Sequence, residues 1–481
     1  MATKLFIGGE WIEATGGSFA TRNPATGEVI EEIGFASEAD VDAAVAAAEA
    51  AFSSSAWRDL APSARADLLY RLADLMAEHA DALAELETRD QGQPLGMSKQ
   101  VSVGASIEHL RYYAGWVTKI EGSTSPIAFP ATLQYTRREP IGVCALITPW
   151  NLPLGILVWK VAPALATGNT IVIKPAEQTS LTAIRLVELA EAAGFPAGVI
   201  NLTTGDGSTG KALVDHPRVR KVSFTGSTEV GRSIVAGSAA SNLKRVTLEL
   251  GGKAPSIIAA DADLDAAVMG NLIGSTFNTG QICAAYTRFF VDRRREDEFV
   301  EKVVAGVQGM KLGPGMDPET QLGPLVSAEH LAHVEELVTA GRAEGAELLT
   351  GGERAGDTGY FYRPTVFAGV KDSMTIAQQE IFGPVLSIMA YEDDDQLDAV
   401  IERANGTEYG LAATVWTRDL RTAHRVANGL QSGMVFVNMP PFPDPAAPWG
   451  GFKNSGWGNE MGPQAIDAYT QLKGVWMHYG Q

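Results

Sequence analysis

The chain has 481 residues, of which 45% are apolar and 20% charged, with 51 glycines and a formal net charge of −19. One hydrophobic core stops growing at roughly 250 to 300 residues, so two or more domains are expected, and the composition of an ordinary α/β protein excludes wholesale disorder. The acidic balance excludes the phosphate backbone of nucleic acid as a partner; the densest basic run, Arg293-Arg294-Arg295, is followed by Glu296, Asp297 and Glu298 and reads as a solvated helix start.

Two cysteines, Cys144 and Cys283, cannot build a disulfide framework, and the segment from Met1 to Phe6 lacks a basic region followed by an apolar core. A reducing, cytoplasmic setting is expected. Pro140 to Trp159 is free of charge over a length that could span a membrane, but Gly142, Pro149, Pro153 and Gly155 break it as a helix and Asn151 sits at its centre. It reads as a buried strand, a loop and a helix start, with no membrane partner.

In chain order, Lys4 to Arg22 reads as a short hairpin with Gly8-Gly9 and Gly16-Gly17 as turns. Ser37-Glu38-Ala39-Asp40 resembles a capping box, and Val41, Val45, Ala48 and Phe52 follow at helical spacing. Leu68, Leu72, Leu75 and Met76 mark a second helix; Ile107, Leu110, Tyr113 and Ala114 mark a third. His79 and His109 on these segments read as packed or half-exposed histidines. Ser123 to Arg138, with Pro126 and Pro130 and loosely alternating residues, reads as an excursion whose edge must find a partner.

From Gly142 the rhythm is regular. Strands are expected at 142–148, 170–174, 199–202, 220–224 and 245–250, with helices at 154–167, 181–193, around 211–215 and from 228. Their unbroken apolar runs imply a parallel sheet covered on both faces, whose ligands bind at the carboxyl ends of the strands. A second α/β run follows, with strands at 255–259, 288–292 and 385–391, a helix across 264–277, and loop-rich stretches around Phe361 and Phe367; it continues to about Val437. Pro440 to Pro448 holds five prolines and reads as a stiff surface loop, Trp449 to Gly462 is rich in glycine, and Tyr469 to Trp476 reads as a lone strand able to join the excursion.

Cys283 is the chemical candidate. It follows the Gly280-Gln281-Ile282 turn between two apolar segments, whereas Cys144 lies inside an apolar strand and reads as core. A thiolate attacking a carbonyl needs an oxyanion donor and a base for the second step. Glu249 ends a buried strand ahead of Gly251-Gly252, an expensive place for charge unless it works or is paired, and Asn151 in the loop after a strand end offers an amide. Gly205, Gly207 and Gly210 match a dinucleotide fingerprint that has no acidic residue closing a strand downstream, and a plain helix-start turn competes with it. Ala212 stands where a nucleoside-triphosphate loop needs a hydroxyl. Gly226 and Ser227 sit at a strand-to-helix turn suited to a pyrophosphate, and Lys174 and Glu177 at a strand end suit ribose hydroxyls or a surface ion pair. His330 and His333 share a helix face without a third ligand, so no metal site is expected.

Together these pieces resemble the NAD(P)-dependent aldehyde dehydrogenase superfamily over essentially the whole chain. The matching motifs are Thr148-Pro149-Trp150-Asn151, Ile173-Lys174-Pro175-Ala176-Glu177, Phe224-Thr225-Gly226-Ser227, Leu248-Glu249-Leu250-Gly251-Gly252-Lys253, Asn278-Thr279-Gly280-Gln281-Ile282-Cys283 and Glu380-Ile381-Phe382-Gly383-Pro384. The resemblance implies a Rossmann-like cofactor domain (1–121 and 141–252), a second α/β catalytic domain (253–447), a β oligomerisation arm (122–140 and 463–481) and a glycine-rich connection (448–462). It implies Cys283 as nucleophile, Glu249 as base for the deacylating water, Asn151 with the Cys283 amide as oxyanion hole, and Lys160 with Glu460 as a proton-relay pair. Thr148, Pro149, Trp150, Lys174, Glu177, Gly207, Gly226, Ser227, Leu250, Glu380 and Phe382 would hold the cofactor. Glu177 would repel a 2′-phosphate, so NAD is expected over NADP. Leu152, Trp159, Ile282, Ala284 and Trp449 would surround the access tunnel, with Phe442 to Ala447 at its mouth. Such a pocket implies a medium-chain or aromatic aldehyde; a betaine-aldehyde-type or semialdehyde substrate is the alternative. The arm implies a homodimer or homotetramer.

Overall fold

The computed structural model describes residues 3–392 and 397–480; Met1 and Ala2, at the head of the segment read for a leader, and Gln481, at the end of the expected arm, lie outside them. The first sheet has eight strands in the order Glu10–Ile12, Leu5–Ile7, Ile200–Leu202, Thr170–Lys174, Val143–Ile147, Lys221–Thr225, Arg245–Glu249 and Gly456–Trp457. Its five central strands are parallel, and strand Val143–Ile147 pairs with the next strand in sequence on one side and a later one on the other. That reversal of strand order opens a crevice at the carboxyl ends, the place where open α/β sheets bind ligands.

The apolar runs have the expected cause. Cys144 and Leu146 point into one core with Ile171 and Ile173, while Val143, Ala145 and Ile147 point into a second core with Val172. Both faces are dry, so alternation disappears from the sequence. The helix Glu38–Ser53 carries the capping box read from Ser37 and Asp40 and buries Val41, Val45 and Ala48. The helices Pro62–Glu78 and Ala105–Trp116 form where the periodicity placed them.

The second sheet has seven strands in the order Glu347–Thr350, Thr365–Ala368, Val385–Tyr391, Tyr286–Asp292, Ala254–Ile258, Ala412–Trp416 and Met434–Val437, all parallel apart from the first. Here the loop expected around Phe367 is corrected: Thr365–Ala368 is a fully buried strand, masked in sequence by the prolines and glycines that flank it. The single hairpin read over residues 4–22 is also two. Leu5–Ile7 and Glu10–Ile12 close on Gly8-Gly9, but Ser18–Arg22 pairs with the downstream strand Val29–Gly34.

Thr132–Pro140 and Thr470–His478 pair antiparallel along their whole length. This ribbon leaves Leu133, Leu472, Trp476 and Met477 exposed, an apolar surface unusual for a lone strand pair. Among the described residues no helix is long and apolar enough to cross a membrane.

Candidate active site

The site lies where the carboxyl ends of the first sheet meet the amino ends of the second. Glu249 is the last residue of strand Arg245–Glu249, and the chain crosses Gly251-Gly252 straight into strand Ala254–Ile258 of the second sheet. Cys283 lies in the turn before strand Tyr286–Asp292, half-buried, with a free thiol. Gly252 is obligatory here: a Cβ on it would collide with the Cys283 carbonyl.

The turn that carries the thiol is held in an uncommon conformation. Asn278 (φ 48°) and Thr279 (φ 57°) are both left-handed, which costs energy for non-glycine residues and persists only when the surroundings impose it. Gln281 does so: its Nε2 donates to the Asn278 carbonyl (3.0 Å), and its Oε1 accepts from the Val326 amide (3.0 Å). Asn278 Nδ2 donates to the Asn151 carbonyl (2.7 Å), and Asn151 Nδ2 donates to the Gln281 carbonyl (2.9 Å), so the two loops brace each other. One Asn151 N–H is engaged in that brace; the amide carries a second. The amides of Cys283 and Ala284 face the sulfur and favour its charged form, but burial, followed by the charges of Glu380 and Glu249, pushes the thiol well above its ordinary range.

Glu249 is 4% exposed, and its Oε2 has no hydrogen-bond partner. Burial and then the Glu460 carboxylate push its pKa well up, while Lys160 pulls it back. Lys160 and Glu460 form a buried pair behind it, Nζ to Oε1 at 2.7 Å, with Ser223 Oγ bridging at 3.1 Å to Lys160 and 2.9 Å to Glu460. The structure therefore brings together the two residues that sequence alone left 300 positions apart.

On the other side of the junction lies a cleft of about 1100 Å³ at the carboxyl ends of the parallel strands. Thr148, Pro149 and Trp150 line one wall and Lys174 and Glu177 another; Gly207, Gly226 and Ser227 stand at two helix N-termini. Asp206 caps the helix Gly207–Asp215, and Ser227 caps Thr228–Ala240, so both present free amides and positive dipole ends suited to phosphate. Gly207 opens a capped helix, as the plain helix-start reading expects. Lys174 is nearly buried and pairs with Glu177 at 3.3 Å; burial lowers its pKa, and Glu177 raises it. Volume, dipoles and a strand-end carboxylate fit a dinucleotide.

Leu250, Glu380 and Phe382 sit at the junction and do not line this cleft. The Leu250 amide donates to the Ser455 carbonyl, and Glu380 Oε1 accepts the Gly252 amide (2.8 Å). Burial pushes Glu380 up to about 7, against the Gly252 amide and Lys253, which lower it. Phe382 is left-handed (φ 57°) and meets Trp150 edge-on at 5.1 Å between ring centroids. His330 holds that strained backbone: its Nε2 donates to the Phe382 carbonyl at 2.7 Å, and burial lowers its pKa to about 4, so the ring is neutral. Sequence reading weighed His330 only as a metal ligand and missed this role, which no spacing signals.

Beside the thiol is a second cavity, of about 160 Å³, lined by Asn151, Glu249 and Cys283 at its base and by Leu152, Trp159, Ile282 and Trp449 along its walls. Pro441, Phe442, Pro443 and Pro445 form part of its rim. Ala284 is a correction to the expected pocket: its side chain is fully buried in the core with Phe289 and Leu386, because the turn rotates it inward, and it does not line the cavity. Only its amide faces the sulfur.

A nucleotide-sized cleft meets a thiol-bearing apolar cavity across two α/β sheets, an arrangement that fits the class of dinucleotide-dependent enzymes. The sequence model of the aldehyde dehydrogenase family matches residues 11–475, and the chain belongs to that family. It is 50% identical over 477 residues to DhaS of Bacillus subtilis, covering 99% of this chain and 95% of that one. It is 48% identical to human cytosolic 10-formyltetrahydrofolate dehydrogenase, all of this chain matching 54% of that protein, so the chain spans about half the length of that relative. The solved NAD+ complex of an aldehyde dehydrogenase from Bacillus cereus superposes with a TM-score of 0.97 at 47% identity, covering 100% of this chain and 97% of that one.

Proposed function

We propose that this NAD-dependent aldehyde dehydrogenase oxidises an apolar medium-chain or aromatic aldehyde to its carboxylic acid through a Cys283 thioester that water hydrolyses. The carrying observation is that Cys283, Asn151 and an unpaired Glu249 carboxyl line one apolar cavity. In this reading the Cys283 thiolate adds to the aldehyde carbon, and the second Asn151 N–H with the Cys283 amide holds the resulting alkoxide. Gly226 and Ser227 would hold NAD+ in the cleft, and the bound cofactor would supply the acceptor for the hydride that leaves the former aldehyde carbon as the alkoxide collapses to the thioester. Glu249 then takes a proton from the water that attacks the thioester, and Lys160 and Glu460 offer the proton a path away from it.

The walls support the apolar substrate over its alternatives. Among the described residues lining the cavity there is no lysine or arginine to meet the carboxylate of a semialdehyde. Trp159 and Trp449 pack on each other at 5.8 Å between centroids, which does not favour a cage around a quaternary ammonium group. Residues 1–121 with 141–252 then serve the cofactor and 253–447 the chemistry, in a cytoplasmic setting.

Glu177, at the end of strand Thr170–Lys174 with its carboxylate partly exposed, would sit against a ribose 2′-substituent. NAD is expected to exceed NADP in kcat/KM by about tenfold or more, since like charges meet in the second complex, and Glu177→Ser should narrow the ratio. A parent preference for NADP would remove Glu177 from this role.

The ribbon of Thr132–Pro140 and Thr470–His478 supports self-association as a homodimer or a tetramer of paired dimers. Light scattering at micromolar concentration is expected to give a multiple of the chain mass, and Leu472→Lys with Trp476→Glu to lower it. A monomeric parent would refute the arm.

A further inference from the structure

Three polar side chains on the cavity wall have no part in the chemistry above: Gln100, His109 and Thr225, the last of which also lines the cofactor cleft. Gln100 is exposed. His109 is different: it is 1% exposed, it lines the cavity, and its Nε2 is buried without a hydrogen-bond partner. Native interiors keep few such atoms, because an unpaired buried polar group forfeits its hydration for nothing.

The surroundings define what Nε2 can accept. His109 stands in the middle of helix Ala105–Trp116, against Tyr113 at 4.9 Å between ring centroids. Burial holds its pKa down to about 3, against the nearby Trp159 carbonyl, which favours a proton on the ring, so the imidazole is neutral with one proton. With that proton on the nitrogen that faces the carbonyl, the unpartnered Nε2 is the acceptor. Ala105, one turn before His109, and Gly155, one turn before Trp159, also line the cavity, so the wall beside the imidazole is built from small residues.

We propose that His109 is a specificity-determining residue whose Nε2 accepts a hydrogen bond from a hydroxyl or ring N–H at the end of the substrate remote from the aldehyde. This rests on the reading of the cavity as the aldehyde pocket. The preferred substrates are then aldehydes with an apolar or aromatic body and a distal donor, and the carbonyl end goes to Cys283.

The test uses the full-length enzyme with NAD and three hydroxylated aldehydes of increasing reach: 4-hydroxybenzaldehyde, 4-hydroxyphenylacetaldehyde and 3-(4-hydroxyphenyl)propanal. Each is compared with its 4-methoxy and unsubstituted counterparts. At least one hydroxylated member is expected to exceed both counterparts in kcat/KM by about tenfold, chiefly through KM. His109→Leu should bring that ratio to about one, and His109→Gln, whose amide oxygen can accept, should restore part of it. Ratios near one throughout the parent series, or a preference that survives in His109→Leu, would overturn the assignment. Should His109→Leu fail to fold, the parent ratios and His109→Gln decide. If phenylacetaldehyde is oxidised without any donor preference, this inference alone falls; if no aldehyde is oxidised, the functional reading falls with it.

Discussion

Cys283→Ser is expected to lower kcat/KM by about 10⁴-fold or more, while NAD binds with unchanged affinity. A hydroxyl is a far weaker nucleophile than a thiol, and the loop offers it no adjacent base: Asn151 and the amides around residue 283 are donors, suited to holding an anion once formed. The substitution is nearly isosteric. Cys283 is half-buried at the cavity, and the cofactor cleft is lined by other residues, so binding titrations followed by Trp150 fluorescence should overlay those of the parent. Appreciable turnover in the serine variant would take the nucleophile's role away from residue 283.

Glu249→Gln is expected to separate the two halves of the reaction. Reduced nicotinamide should form in a burst of about one equivalent, followed by a steady state slower by about 10² to 10⁴, because glutamine cannot accept a proton from the deacylating water. The pH dependence follows from the burial of Glu249 and its neighbour Glu460, which together push its pKa well up. Below that raised value the carboxyl holds its proton and cannot act as a base. The parent's steady-state rate should therefore rise with pH, and that of Glu249→Gln should lose the rise. The thiol is displaced in the same direction, so the parent's kcat/KM should climb toward alkaline pH as well. Equal steady-state rates in parent and variant would remove Glu249 from the hydrolytic step.

The parallel strands were legible because burial on both faces turns them into unbroken apolar runs, as in Val143 to Ile147 and Thr170 to Lys174. The helix Ala80–Gln91 was not, and Glu87 and Asp90 show why. In sequence they look like a solvated face. In the fold they are buried caps: Glu87 accepts the Leu154 amide at the start of one helix, and Asp90 accepts the Leu181 amide at the start of another. Burial lifts both carboxyls to about 7. Periodicity cannot report a polar group buried to satisfy a helix end. At the candidate site, residue type and motif singled out Cys283, Glu249 and Asn151, and the fold brings the three to one cavity. The mutual bracing of Asn151 and Asn278, the support of Phe382 by His330 and the inward turn of Ala284 depend on contacts between segments distant in sequence.

The central claim is that an acyl group passes through Cys283 and leaves to water with the help of Glu249. Rapid quenching of Glu249→Gln with NAD and an aldehyde, followed by mass spectrometry of the whole chain and its peptides, tests this most directly. The account predicts an adduct two hydrogens lighter than the aldehyde, formed in step with reduced nicotinamide and confined to the peptide that carries Cys283. Reduced nicotinamide formed without that adduct, or an adduct on Cys144 instead, would contradict it.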